Sequence, residues 1–333
     1  MHDIQSRFVK NILTEVQNAP RQSGSAFAPS NIALCKYWGK RDAALNLPIN
    51  SSLSVSLGHL GTRTALRQCA GGRDLVHLNG SLLPEDSSFA QRVSEFLDLF
   101  RPRLGNCAFE VQTQNNIPTA AGLASSASGF AALVLALDDW AGWGLDKRRL
   151  SMLARLGSGS AARSVFEGFV QWHAGSQSEG TDSFAEPISK PWKAFCIGIL
   201  ELSNARKPVG SREGMNRTVE TSKLYQSWPQ QAADDLATIR SAIDAQDFPT
   251  LGKTAERNAL AMHATMLAAW PPLLYLQPET VEQIHEVQRV RAEGLEVYLT
   301  IDAGPNIKLL FLEENQSAVV AAFPALQVIQ PFL

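Results

Sequence analysis

The chain has 333 residues, 45% of them hydrophobic, and its 30 Lys and Arg residues against 32 Asp and Glu residues leave a formal net charge of −2. This length predicts a folded protein of about two domains with a substantial core, and the near-neutral charge argues against a general nucleic-acid binder. The longest apolar run, at 130–137, is far shorter than the roughly 20 residues that cross a bilayer. The N-terminus also lacks the apolar core of a signal peptide, so we expect no membrane partner.

The four cysteines are widely spaced and form no CxxC pair: Cys35, Cys69, Cys107 and Cys196. Such spacing is typical of reduced, mostly buried thiols, and we expect a cytoplasmic protein. None of the six histidines has a partner at metal-ligand spacing. We interpret the histidines as structural or surface residues, and the sequence leaves any metal ligands unknown.

The first 26 residues contain four apolar side chains at four-residue spacing: Ile4, Phe8, Ile12 and Val16. This spacing predicts a short amphipathic helix that packs on the body and ends before Pro20. From 27 to 57 the pattern indicates a strand, a polar turn broken by Asn-Leu-Pro at 46–48, and a second strand. A further strand at 75–78 precedes Asn-Gly, a good hairpin signal.

Next along the chain, the pattern predicts a helix over 89–100 that is ended by Pro102, a strand over 107–112 and a helix that begins at Ser151 as its cap. A Pro-interrupted polar stretch at 186–192 marks the expected domain boundary. Beyond it we expect a strand over 194–200, helices over 231–245, 248–263 and 279–293, and strands over 297–301 and 307–312. Sheets and helices follow one another without a regular βαβ rhythm, which indicates an α+β fold.

The segment 115–129 carries small residues and hydroxyls directly into the apolar run that follows it. Gly122 permits a backbone geometry that a side chain would block, and the small neighbours let a polyphosphate reach main-chain N–H groups. A following helix would direct its N-terminal N–H groups at the same anion. The alternative is a Gly/Ser-rich loop that caps an ordinary buried helix. Neither a Walker A loop nor GxGxxG is present, so a nucleotide would require another fold.

Three other clusters could carry chemistry. In 28–42, three cations lie within six residues beside two aromatics, and a concave placement would let Tyr37 and Lys40 hold a phosphorylated ligand; the alternative is a solvated charged turn. In 157–164, Arg163 could clamp a carboxylate or phosphate, or the segment could be a plain Gly/Ser turn. Asp302 could act as a base, although its Asp-Ala-Gly-Pro-Asn context also suits a simple turn.

Together these segments resemble the diphosphomevalonate decarboxylases of the GHMP kinase superfamily. The matching segments follow the family order and approximate spacing: 31–42, 47–55, 118–126, 157–164 and 302–306. The likeness runs from about residue 27 to the C-terminus and includes Met-His-Ala-Thr at 262–265. It predicts an N-terminal extension over 1–26 and two domains over 27–190 and 191–333. Ala162 departs from the family pattern, in which Cys or Ser is usual.

The resemblance implies a two-domain GHMP kinase fold with the active site between the domains, and commonly a homodimer. It implies ATP-dependent decarboxylation of mevalonate 5-diphosphate to isopentenyl diphosphate, with ADP, phosphate and CO2 as the other products and magnesium as cofactor. A phosphomevalonate decarboxylase is the alternative within catalysis. A catalytically silent GHMP-fold protein that binds metabolites to regulate a partner is the alternative outside it.

Residue roles also come from the resemblance. Asp302 would accept or orient the proton of the 3-hydroxyl, and Arg163 would hold the substrate carboxylate. A lysine such as Lys36 or Lys40 would assist phosphoryl transfer. The residues implied at the reacting end are Asn31, Ser158 and Ser160, and those implied at the 5-diphosphate are Tyr37, Lys40, Arg92 and Ser211. The residues implied to hold the ATP phosphates are Pro118, Ala120, Ala121, Gly122, Leu123, Ala124, Ser125 and Ser126.

Overall fold

The structure, a computed structural model, describes residues 2–117, 125–188, 191–203 and 207–332. The α-helices in these segments are α1 His2–Ile12, α2 Ser88–Asp98, α3 Arg101–Leu104, α4 Ser125–Ala141, α5 Lys147–Gly157, α6 Ser211–Thr221, α7 Trp228–Ala245, α8 Phe248–Leu267, α9 Pro278–Ala292 and α10 Gln316–Ala322. The first nine strands are β1 Gly24–Cys35, β2 Lys40–Asp42, β3 Leu47–Pro48, β4 Ser52–Cys69, β5 Leu75–Leu78, β6 Ser81–Leu82, β7 Ala108–Asn115, β8 Phe169–Trp172 and β9 Ala185–Pro187. The last four are β10 Phe195–Leu200, β11 Tyr298–Ile301, β12 Ile307–Leu312 and β13 Gln327–Ile329.

The first large sheet is built around β4, which is long enough to pair with three strands. Among the described residues its order is β6-β5-β7-β4-β8-β9, and β1 also pairs with β4. All its pairings are antiparallel except that of β5 with β7. The short strands β2 and β3 form a separate ribbon beyond the end of β1. Helices α2, α4 and α5 bury their apolar faces in the same core as this sheet.

The second sheet has the order β11-β12-β10-β13 in the described residues and is antiparallel throughout. Its apolar strands share a core with α7 and α8, and that core also takes in Ile32 and Leu34 of β1. Helix α8 packs closely against β11 at Gly252. A Cβ at that position would come within 2.0 Å of the ring of Tyr298 in β11, so only glycine allows this approach. Helices α7 and α8 therefore join the second sheet to the strand that ends beside Lys36.

The two largely antiparallel sheets, with helices packed against them, confirm the predicted α+β class. The strands predicted at 75–78 and 307–312 have the observed bounds, and the Asn79-Gly80 turn is confirmed by positive φ angles of 49° and 83°. The predicted domain divisions after residues 26 and 190 stay predictions. No helix in the described ranges combines the length and the apolar character that a bilayer crossing needs.

The prediction that Pro102 ends a helix was wrong. Helix α2 ends at Asp98, and Pro102 lies in the first turn of α3. Proline is well tolerated at that position, because the N–H that it lacks would have no partner within the helix. The predicted break at 46–48 also needs correction, since Leu47–Pro48 is the strand that pairs with β2.

The predicted Ser151 cap was also wrong. Helix α5 begins at Lys147, and the carboxylate of Asp146 caps it by accepting the N–H of Arg149. Ser151 lies inside the helix, where its hydroxyl donates to the carbonyl of Arg148. An acidic N-cap with its residue in extended backbone is at least as favourable as serine, and the polar Asp-Lys-Arg-Arg start hid the helix from an apolar periodicity.

The predicted N-terminal helix is present, but the side chains that it buries differ from the predicted row. Helix α1 ends at Ile12 rather than near Val16, and Ile4 remains 43% exposed. The buried side chains are Phe8, Val9 and Leu13, while Ile12 and Val16 are partly buried. A helix that packs on a globular body buries a stripe broader than a single four-residue row, so the adjacent residue Val9 belongs to the face.

Candidate active site

A cavity of ≈530 Å³ opens where the end of β1, the 3-10 helix Gly159–Val165, the start of α6 and the turn after β11 meet. Every residue that the resemblance placed at the catalytic or substrate-binding positions lines it: Asn31, Lys36, Tyr37, Lys40, Arg92, Ser158, Ser160, Arg163, Ser211 and Asp302. These residues come from five separate segments of the chain, at 31–40, 92, 158–163, 211 and 302. The fold therefore brings the predicted set into one concave space, which is the usual form of a small-molecule site.

Asp302 lies in a cluster of lysines. Its carboxylate is 2.8 Å from Lys36 Nζ through Oδ1 and 3.4 Å from Lys308 Nζ through Oδ2. Burial would raise the pKa of Asp302, but the ammonium groups of Lys36, Lys308 and Lys207 together hold it well below its usual range. The carboxylate is therefore ionised at neutral pH, and 32% of its side chain still faces the cavity.

The backbone beside Asp302 is held by a histidine. His263 is buried in α8, and its Nε2 lies 3.1 Å from the carbonyl oxygen of Asp302, which makes that nitrogen the donor. Burial lowers the pKa of His263 to about 4, because there is little water to stabilise the imidazolium. A neutral His263 therefore orients the turn after β11, in agreement with the structural role expected for the histidines.

Lys36 follows the last residue of β1, so no strand partner satisfies its backbone. Two buried asparagines do so instead: Asn258 Oδ1 accepts the Lys36 N–H at 2.8 Å, and Asn50 Nδ2 donates to the Lys36 carbonyl at 2.8 Å. Asn258 also donates to the buried carboxylate of Asp235 at 2.9 Å. Burial lowers the pKa of Lys36, although the Asp302 carboxylate counteracts this effect. The backbone N–H and carbonyl of Lys36 are thus both fixed by hydrogen bonds to buried side chains.

Arg163 is 3% exposed and is held by neutral oxygens. It donates to Ser54 Oγ at 3.0 Å, to Ser52 Oγ at 2.6 Å and to Asn31 Oδ1 at 3.3 Å. Burial lowers its pKa to about 10, so the guanidinium keeps its charge at neutral pH. A buried cation whose described hydrogen bonds all go to neutral groups is well prepared to bind an anionic ligand.

The opposite end of the cavity is cationic. Lys40, Arg92 and Arg212 line it, and the start of α6 adds the hydroxyl of Ser211. Burial and then the charge of Arg212 lower the pKa values of both Lys40, to about 8, and Arg92. Mutually repelling cations at a helix N-terminus form a site suited to a multiply charged anion.

Tyr37 lies between the two ends. Its ring packs edge-on against Trp172 with centroids 4.9 Å apart, and its buried hydroxyl has no hydrogen-bond partner among the described residues. Gly159 is required there, because a Cβ would come within 2.8 Å of the Tyr37 ring. A buried hydroxyl without a protein partner in a cavity wall is available to a ligand.

The nucleotide side is described only in part. Residues 118–124 of the predicted phosphate loop lie outside the described residues, and Ser125 is the first residue of α4. Ser126 lines the cavity, and its Oγ lies 3.3 Å from that of Ser158, which is 3.4 Å from that of Ser160. The N-terminus of a 17-residue helix therefore opens at the cavity, as an anion site requires.

Sequence reasoning missed several residues of this site. Lys308 and Lys207 near Asp302, Arg212 at the cationic end, and the two serines that hold Arg163 were not singled out. A signal existed for Lys308, which is a charged residue inside the apolar strand β12. The Ser-Leu-Ser-Val alternation at 52–55, which lies in a predicted strand and in a family-matching segment, was a signal for the two serines, since it places both hydroxyls on one face.

The α+β fold, with a cavity at the N-terminus of α4, is that of a two-domain protein of the GHMP kinase fold, with which solved structures superpose. Residues 28–185 match the diphosphomevalonate decarboxylase-like N-terminal domain, and residues 197–330 match the mevalonate 5-diphosphate decarboxylase C-terminal domain. The chain belongs to the diphosphomevalonate decarboxylase family.

Individual relatives agree with the family models. The diphosphomevalonate decarboxylase of Aspergillus fumigatus is 38% identical over 322 residues, covering 90% of this chain and 79% of the relative. That of Saccharomyces cerevisiae is 37% identical over 318 residues, covering 90% of this chain and 80% of the relative. The first 26 residues precede the part that the family models match.

Solved structures show the same fold. The mevalonate diphosphate decarboxylase of Staphylococcus aureus superposes with a TM-score of 0.87 at 37% identity, covering 93% of this chain and 95% of that one. The Enterococcus faecalis enzyme gives a TM-score of 0.86 at 41% identity, covering 93% and 98%. A further structure, MDDEF in complex with MVAPP, AMPPCP and magnesium, gives 0.87 at 41% identity, covering 93% and 98%.

Proposed function

We propose that the protein catalyses the ATP-dependent decarboxylation of mevalonate 5-diphosphate to isopentenyl diphosphate, with ADP, phosphate and CO2 as the other products. The observation that supports this most is the convergence of one ionised carboxylate, Asp302, and one buried guanidinium, Arg163, on a cavity whose far end is cationic. The three features match the substrate's 3-hydroxyl, carboxylate and diphosphate. Family membership agrees with this assignment.

In the first step the 3-hydroxyl oxygen would attack the terminal phosphoryl group of ATP, with ADP leaving, and the hydroxyl proton would pass to an oxygen of the transferred phosphoryl group as the new O–P bond forms. Asp302 would accept the hydrogen bond of the hydroxyl and orient its oxygen. Because the lysines keep the pKa of Asp302 low, it is a weak base, and orientation is the role that its surroundings favour. Phosphoryl transfer depends mainly on alignment and charge neutralisation, and Lys36 would supply positive charge beside the reacting oxygens.

In the second step the bond between C3 and the phosphorylated oxygen would break and phosphate would leave. The C–C bond to the carboxylate would then supply the electron pair of the new double bond, releasing CO2. Arg163 would hold the carboxylate in line with the breaking bond. A cation that bound the carboxylate equally strongly throughout would not accelerate its loss, so the role of Arg163 is orientation.

The nucleotide would lie on the side of α4, with its phosphates at the predicted loop 118–126 and the helix N-terminus. Magnesium favours oxygen ligands and is commonly held by substrate phosphates, and the hydroxyls of Ser126 and Ser158 are oxygen donors on that side. When bound, it would neutralise charge on the transferring phosphoryl group. These two serines are the described residues best placed to hold it.

The diphosphate assignment is supported by Lys40, Arg92 and Arg212, which provide three cations at the far end of the cavity. A monophosphate would leave more of this charge unpaired, which disfavours the alternative phosphomevalonate decarboxylase. We also propose that the protein acts in the cytoplasm as a homodimer. The four free cysteines support a reducing compartment.

The test offers mevalonate, its 5-phosphate and its 5-diphosphate separately with Mg-ATP, and follows ADP and CO2 independently. We expect both products from the 5-diphosphate, and a kcat/KM lower by about tenfold or more from the 5-phosphate because one charged contact is lost. ADP without CO2 would indicate a kinase. Neither product from any of the three, in protein that binds ATP, would instead support the silent binder.

A further inference from the structure

The N-terminal helix α1 precedes the part of the chain that the family models match, yet it is packed into the body. Phe8, Val9 and Leu13 are buried in the first core. At the C-terminal end of the helix, Arg103 donates to the carbonyls of Leu13 and Val16 at 3.0 and 2.6 Å. The segment is therefore anchored on the same core as the catalytic cavity.

The other end of α1 contacts the turn that connects β2 to β3. Gln5 Nε2 donates to the carbonyl of Ala44 at 2.8 Å. The ring of Phe8 lies beneath the guanidinium of Arg155, with Cζ 4.9 Å from the ring centroid, and Arg155 Nε donates to the carbonyl of Leu45 at 3.1 Å. Two side chains of α1 thus contact this turn at consecutive carbonyls. Gln5 binds the Ala44 carbonyl directly, and Phe8 packs on Arg155, which binds the Leu45 carbonyl.

Arg155 needs this support because it is a fully buried cation. Its described hydrogen bonds go to the carbonyls of Leu45, Gly180 and Ser183. Backbone oxygens neutralise a guanidinium only in part, and an aromatic face adds a favourable interaction that is strongest where water is excluded. Phe8 supplies that face.

The same turn holds Lys40, one of the cations at the end of the cavity. Asn46 is buried with a positive φ of 52°, and its Nδ2 donates to the carbonyls of Arg155 at 2.8 Å and Leu156 at 2.9 Å. Its Oδ1 accepts a hydrogen bond from Lys40 Nζ at 2.6 Å. Contacts therefore run continuously from α1 through the turn and Asn46 to the Lys40 ammonium.

We propose that α1 is a positioning element of the substrate site: through Gln5 and Phe8 it fixes the turn 43–46, and Asn46 in that turn sets the Lys40 ammonium against the 5-diphosphate. The inference rests on the proposed function. It assigns the N-terminal segment a part in substrate affinity, and it names Gln5, Phe8, Asn46 and Arg155 as positioning residues that do not themselves react.

The test measures KM for mevalonate 5-diphosphate and kcat in Gln5→Ala and Phe8→Leu. We expect KM to rise about two- to tenfold in each variant, the range for loss of one modest polar interaction, with kcat and the KM for ATP nearly unchanged. Leu13→Ala is the matched control, because Leu13 is as buried but lies just after α1, where its carbonyl accepts a hydrogen bond from Arg103. This control should lower the Tm without raising KM.

A double-mutant cycle separates positioning from general loosening. In a Lys40→Met background, Phe8→Leu should raise KM no further, because the group that it positions is gone. An unchanged KM in both single variants, an equal rise in Leu13→Ala, or full additivity with Lys40→Met would overturn the inference. Absence of ADP and CO2 from the wild-type enzyme would instead count against the proposed function, since these comparisons use only an active parent.

Discussion

At the scale of single residues, Asp302 shows how surroundings decide a role. Its side chain alone could be a turn former or a general base, and the sequence leaves both open. Lys36 and Lys308 contact the carboxylate directly, so the group stays ionised and weakly basic. Its chemical value is a fixed negative charge that can accept a hydrogen bond from an alcohol.

Replacing Asp302 with Asn should reduce ADP formation by about 10² to 10⁴, because a near-isosteric amide loses the charge that orients the hydroxyl. The Kd of the substrate, measured by calorimetry, should change little. Arg73→Gln, a substitution of an exposed residue outside the cavity, serves as the control for handling and folding. Near-normal turnover in the Asn variant would remove Asp302 from the mechanism.

Lys40 predicts a pH dependence. Burial and Arg212 lower its pKa to about 8, so the free enzyme loses this charge as the pH rises through 8. Because the charged form is the one proposed to bind the diphosphate, kcat/KM should fall above about pH 8. A bound diphosphate would raise the pKa of Lys40, so kcat should stay level to higher pH. Separate pH profiles of kcat and kcat/KM check this, and a Lys40→Met variant should lose the dependence.

At the scale of elements, α7 and α8 help to position Lys36, although they contribute little to the lining of the cavity. Asp235 of α7 holds Asn258 of α8, and Asn258 accepts the N–H of Lys36 at the end of β1. Arg257 pairs with the same Asp235 carboxylate. The hydrogen bonds between Asp235 and Asn258 and between Asn258 and Lys36 thus make the position of Lys36, which contacts Asp302, depend on how α7 and α8 are packed.

Asn258→Leu should lower the free energy of unfolding by about 1 to 3 kcal/mol, since it leaves the Lys36 N–H without its buried acceptor. It should also lower kcat by more than it changes the KM for the diphosphate, because the displaced group is at the reacting end. Denaturant unfolding and steady-state kinetics measure the two effects. Thr254→Val, one turn earlier in α8, should lower stability and leave kcat unchanged.

At the scale of the whole molecule, four large apolar side chains remain exposed on adjoining segments of α8, the loop after it and the segment after α6: Leu224, Leu267, Trp270 and Leu274. The backbone N–H of Trp270 donates to Thr221 Oγ1 at 2.8 Å, which ties these segments together. Exposed apolar groups concentrated in one region are typical of protein–protein interfaces. This region is the surface that best suits the proposed homodimer.

Light scattering should therefore give the mass of two chains for the wild-type protein. Trp270→Glu should shift the mass toward one chain, because an ionised carboxylate in an apolar interface is strongly unfavourable. Val320→Glu provides the comparison, since Val320 is also exposed but lies in α10. A monomeric wild-type protein at all concentrations would contradict the dimer, and an unchanged mass in Trp270→Glu would place the interface elsewhere.

The sequence by itself determined the fold class, about half of the strands, most of the long helices, and ten of the residues that line the cavity. Alternating and apolar runs predict strands such as 75–78 and 307–312, because periodicity reports local geometry. The motif segments contain eight of the assigned residues that line the cavity, since their side-chain types and order carry the chemistry, and the family resemblance added Arg92 and Ser211. Helix α6 was not predicted, because its sequence is mostly polar and its buried residues include a single large apolar side chain, Met215.

Only the tertiary structure decided what each of those residues faces. The pKa of Asp302 depends on Lys308, which is adjacent to it only because β11 and β12 pair, and on Lys36, which is 266 positions away. The contact of α1 with the turn beside Lys40 is likewise invisible in the chain order. Electrostatic and hydrogen-bond energies depend on distance and burial in space, and neither quantity can be read from local sequence spacing.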